Sequence, residues 1–117
     1  MTVVRRIEID SGDLAGLTIV SARDLVVRCF FDAQQETFSR AAGHLRAPMS
    51  YDELKKLVEG AVRLAFRASG GDFEAPTRES LMAAVEKLAA KAAGMGTPAD
   101  VIEYHRGQLA KVFAALS

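Results

Sequence analysis

LVVRCFF, residues 25–31, is the stretch on which the fold turns. Val, Cys and Phe suit a pleated, half-buried surface, and read alone the run fits a buried strand as well as a helix. The charges around it separate the two. Asp24 and Arg28, Arg28 and Asp32, and Glu36 and Arg40 each stand four apart, a spacing that makes neighbours on a helix surface. The stretch therefore reads as the middle of a helix over 21–43. Ser21 with Asp24 opens it as a variant capping box, and Gly43 closes it by supplying the left-handed residue that a helix stop requires.

Working outward toward the C-terminus, Ser50 with Glu53 starts a second helix over 50–69, and Gly70 stops it. Its apolar positions Leu54, Leu57, Val58, Ala61, Leu64 and Ala65 recur at intervals of three and four, with the charged residues mostly elsewhere. Thr77, after Pro76, caps a third helix over 77–94 with Leu81, Val85, Leu88 and Ala92 as its stripe and Gly94 as its end. Thr97, Pro98 and Asp100 supply the cap, first-turn proline and acidic third position of a fourth helix over 97–117. Its seam is Ile102, His105, Leu109, Val112 and Leu116. The short link between the third and fourth helices predicts a helical hairpin.

Toward the N-terminus the period shortens. Val3, Arg5, Ile7 and Ile9 alternate with Val4, Arg6, Glu8 and Asp10, DSGD reads as a turn, and residues 14–20 read as a returning strand weakened by Gly16. The expectation is one mainly α domain over 1–117: a four-helix bundle-like unit preceded by a short β-strand or hairpin in 1–20. A lone ribbon is marginal in water, so its apolar face must pack on helices or pair with another chain.

Composition narrows the function classes. The chain has 117 residues, half of them hydrophobic, and its 15 basic and 15 acidic residues cancel. No net field favours nucleic acid or an anionic membrane, and no apolar run reaches the length of a membrane span. One cysteine, Cys29, allows no internal disulfide and suits a reducing cytoplasm.

Several motifs resolve into connectors. Gly70 and Gly71 lie where the second helix ends and lack the GK[ST] of a phosphate loop. GMGTPA, 94–99, matches a dinucleotide pattern formally, but a helix rather than a strand precedes it. Asp72 and Glu74 are too few oxygens for a hard cation. Cys29 lies among Val26, Val27, Phe30 and Phe31, surroundings that suit a small buried hydrophobe and oppose a thiolate. Arg40, His44 and Arg46 fit the negative end of a helix dipole.

Three residues stand as ligand-binding candidates: Arg28, His44 and His105. Arg28 interrupts an apolar seven, where a charge is expensive unless paired or wetted; its plain role is a salt bridge to Asp24 or Asp32. His105 interrupts the fourth helix's seam and fits a boundary or satisfied core histidine better than a ligand. The ranking that follows places a non-catalytic interaction module first, as a homodimer with scope for another protein partner. The motive is a first helix apolar over much of its circumference, together with a ribbon lacking a sheet. A small-ligand or metal-sensing helical domain built on the three candidates is second, a small enzyme third and a nucleic-acid regulator fourth. No cofactor, metal site or catalytic set is called.

Overall fold

A computed structural model of the chain describes residues 6–42 and 50–116, without the side chains of residues 41 and 42. The described residues form five helices: α1 (Ser11–Leu14), α2 (Ile19–Ala42), α3 (Tyr51–Ala68), α4 (Arg78–Gly94) and α5 (Ala99–Ala115). The chain is mainly α, and LVVRCFF lies within α2 as its charge spacing requires.

The N-terminal strand or hairpin is not formed: no strand occurs among the described residues. The alternation behind that expectation is nonetheless physical. Ile7 and Ile9 are buried while Glu8 and Asp10 are exposed, but the segment lies against a helix instead of a second strand. Side chains along one face of α5 take the place of a ladder. The Ile9 N–H donates to Gln108 Oε1 at 2.8 Å, the Tyr104 hydroxyl donates to the Ile7 carbonyl at 2.9 Å, and Lys111 Nζ donates to the Ile9 carbonyl at 3.3 Å. Period-two burial needs an apolar wall and partners for the backbone; a helix presenting Tyr, Gln and Lys at turn spacing supplies both.

The supposed turn is helical, and of the supposed second strand Leu14 closes α1, residues 15–18 form the link and Ile19 and Val20 open α2. Asp10 and Asp13 form a reciprocal capping box on α1. α2 starts at Ile19, before the expected Ser21, because Thr18 Oγ1 accepts the Ser21 N–H at 3.0 Å. The hydroxyl of Thr18 thus takes the capping role assigned to Ser21, and the β-branched run Thr-Ile-Val continues into a helix at a propensity cost of only a few tenths of a kcal/mol per residue. Gly43 lies outside the described residues.

α2 packs against α3, α4 and α5, and α4 packs against α3 and α5. The core follows from this arrangement: Ala22, Val26, Cys29, Phe30 and Phe31 of α2 meet Val62 and Phe66 of α3, Leu81 and Val85 of α4, and Leu109 and Val112 of α5. The apolar circumference of α2 is covered by its own chain on three sides, so it no longer calls for a partner subunit.

The connectors carry two further corrections. α3 is capped by Ser50 and ends as expected at Gly70, whose φ is +79°. Gly71 follows because the chain passes α4 closely, and a Cβ there would sit 2.8 Å from Ser80 Cβ. α4, boxed by Thr77 and Ser80, runs through Gly94, and the left-handed residue is Gly96 at φ +93°. Thr97 does not cap α5. Its hydroxyl is buried and receives the Thr37 hydroxyl at 3.1 Å, Pro98 takes the cap position without a side-chain bond, and Asp100 serves arginines from elsewhere in the chain.

Candidate functional site

The packing that buries α2 leaves a groove of about 650 Å³ along the line where α2 and α3 meet, closed at one end by Phe73 of the α3–α4 connector. Arg28 is an exposed residue on its wall. The Phe73 end is fully satisfied: Arg23 and Arg63 lie over the ring at 4.3 and 4.1 Å from its centroid. Arg23 also donates to the Phe73 carbonyl at 2.8 Å and pairs with Asp24, while Arg63 pairs with Glu74 at 2.6 Å. The other end has an aromatic edge, Phe31 against Tyr51 with ring centroids 4.9 Å apart.

Between those ends the charges stay open. Arg28, Asp32, Lys55 and Glu59 all line the groove, yet among the described residues none lies within 4.0 Å of an opposite charge. The bridges from Arg28 to Asp24 and Asp32 that the spacing predicts are not made. Burial in the groove wall raises the Asp32 carboxyl above its ordinary range, with Arg28 opposing that shift.

The same spacing closes fully further along α2. Arg40 meets Glu36 at 2.7 Å, Arg6 donates to both Glu36 oxygens at 2.7 and 2.8 Å, and Asp100 joins the two arginines. Arg6 also lies over the Tyr104 ring, 4.9 Å from its centroid. Hydrogen bonding to Arg6 holds the buried Glu36 carboxyl below its usual range, and Arg40 holds Asp100 down to about 2. This knot clamps the N-terminal segment, α2 and α5 together.

His105 lies apart from the groove. It is 1% exposed, and neither ring nitrogen has a hydrogen-bond partner among the described residues. Desolvation pushes its pKa down to about 4, with Glu36 opposing, so the ring is neutral at ordinary pH. His44 lies outside the described residues, as does Arg46. The three candidates thus separate into a groove wall, a core position and a residue not described. Cys29 is wholly buried, and burial pushes its thiol up to about 12, leaving it without thiolate at neutral pH. No group of three metal-ligating side chains occurs among the described residues.

A second surface runs along the opposite flank of α3, against α4. Leu57, Leu64 and Met95 are 50%, 56% and 53% exposed, and a small apolar furrow passes between Leu57, Ala61, Leu88 and Met95. The sequence assigned Leu57 and Leu64 to the buried stripe, because period alone does not say how far round a helix its neighbours reach. Phe73 of the groove was beyond sequence reasoning altogether, since Arg23 lies 50 residues away from it. Lys55 and Glu59 carried a legible signal in their spacing of four, but not the information that they face Arg28 and Asp32.

Comparison of the chain with models of known protein families, with curated proteins and with solved structures finds no match. No helix among the described residues is long and apolar enough to cross a membrane.

Proposed function

We propose that the chain is a single-domain four-helix bundle acting as a non-catalytic interaction module, and that it pairs with a second copy of itself through the α3–α4 flank. The observation that carries this reading is the exposure of Leu57, Leu64 and Met95 on one side of the molecule. Each apolar side chain fully buried is worth about 1.5–3 kcal/mol, so a face exposing three of them gains by being covered. Leu57, Ala61 and Leu64 follow one another at four and three, the spacing that lets two helices interlock. A two-fold interface brings this stripe against itself, and a chain of zero net charge meets no long-range repulsion from its own copy. A reducing cytoplasm suits the module, whose one cysteine is buried and unpaired.

Light scattering at micromolar concentration tests the reading. The expected mass is that of a dimer, falling to a monomer in a Leu57→Glu, Leu64→Glu double variant whose helical circular dichroism is unchanged. A monomeric parent chain overturns it.

A further inference from the structure

We propose that the groove between α2 and α3 binds a small zwitterion with an aromatic side chain, an α-amino acid of the phenylalanine or tyrosine type. The inference is independent of self-association, since the groove lies on the flank of α3 opposite the apolar furrow.

The volume, about 650 Å³, is that of a small-molecule site, and the walls mix apolar and charged surface as such sites do. The charge inventory defines the class of ligand. Arg23 and Asp24 satisfy each other, as do Arg63 and Glu74, which removes the Phe73 end from consideration. Two cations, Arg28 and Lys55, and two carboxylates, Asp32 and Glu59, remain without a partner among the described residues.

A simple anion satisfies the cations and leaves the two acids opposing it; a simple amine does the reverse. A molecule carrying both signs a few atoms apart satisfies all four. Its carboxylate goes to Arg28, whose fork matches a carboxylate, and to Lys55; its ammonium goes to Asp32 and Glu59. The aromatic edge of Phe31 and Tyr51, with Val27 beside it, offers a flat apolar side chain its contact surface. The failure of Arg28 to close on Asp24 or Asp32, when Arg40 closes on Glu36 at the same spacing, leaves the guanidinium available for this role.

The test is a titration of the nitrogen-15-labelled chain with L-phenylalanine, followed by amide shifts, beside three controls: 3-phenylpropanoate, 2-phenylethylamine and glycine. L-Phenylalanine is expected to give saturable shifts centred on Val27, Phe31 and Tyr51, each control binding at least about tenfold more weakly. Arg28→Ala, on an exposed side chain, is expected to weaken L-phenylalanine by about tenfold or more with the rest of the spectrum unchanged. No saturable shift up to the solubility of the amino acid, shifts centred elsewhere, or equal binding of 3-phenylpropanoate each overturn the proposal, the last by making the groove a plain anion site.

Discussion

The two halves of α2 carry acids and arginines at the same interval of four and end in opposite states. In the C-terminal half, Glu36 and Arg40 close at 2.7 Å and are joined by Arg6 and Asp100 from either end of the described chain. In the N-terminal half, Asp24, Arg28 and Asp32 have the spacing but Arg28 closes with neither acid; Asp24 pairs with its neighbour Arg23 instead. An isolated pair of this kind on a helix surface contributes only about 0.3–0.5 kcal/mol, too little to hold two long side chains against competing partners. What closes the knot is burial of Glu36 and the arrival of a second arginine with two parallel bonds. Both halves pack into the core, but the charges of one are closed within the fold while Arg28 and Asp32 of the other stay open.

That contrast can be broken most severely at Glu36. Glu36→Gln keeps the volume but leaves Arg6 and Arg40 without their buried anion, and it is expected to lower the unfolding free energy by about 2–4 kcal/mol, measured from the urea midpoint. A loss below half a kcal/mol would make the knot no more structural than the open groove charges.

His105, packed beneath the knot on α5, gives the next largest effect. Its folded pKa lies below its unfolded value of 6.5, so its contribution is intact above pH 6.5 and is lost as pH falls from 6.5 toward about 4. The full loss amounts to about 3 kcal/mol at 1.36 kcal/mol per pKa unit. Glu36, whose pKa is also lowered, loses its contribution only below its ordinary value of 4.5 and so stays out of the window from 6.5 to 4.5, while Asp32, whose pKa is raised, works in the opposite direction as pH falls. Replacing a buried polar ring that has no hydrogen-bond partner among the described residues by Leu is expected to flatten that arm of a stability–pH curve and to raise stability at pH 7 by about 1 kcal/mol. A curve with the parent slope would show that another group sets it.

The smallest effect sharpens the comparison from the other side. Arg28→Ala removes an exposed residue with no ion pair among the described residues, and thermal or urea unfolding is expected to change by no more than about 0.5 kcal/mol. Its consequence belongs in the titration and not in stability.

Much of the helical layout was legible along the chain. α3 and α4 begin at the residues whose side chains cap them, Ser50 and Thr77, because a cap is a contact between a side chain and an amide two or three residues on. The stripe Leu81, Val85, Leu88 and Ala92 is buried as its period requires. The failures occur where a local signal met a distant partner. Thr97 and Asp100 spell a helix start, but Thr37, Arg40 and Arg6 take their polar atoms. Ile7 and Ile9 spell a strand, but α5 supplies the wall and the hydrogen bonds. Of the three candidate residues, Arg28 lies on the groove wall with its charge open, where the local spacing suggested a closed bridge.

What the sequence determined by itself, then, is where turns of helix begin, where glycine lets them stop, and which side of each helix is oily, since these depend on residues within about one turn of each other. Tertiary structure alone decided which charges close and which stay open, because an exposed pair is nearly neutral in free energy and tips only when a third group or burial arrives from far along the chain. The knot at Glu36 and the open groove at Arg28 share one local pattern and differ in what the fold brought beside them.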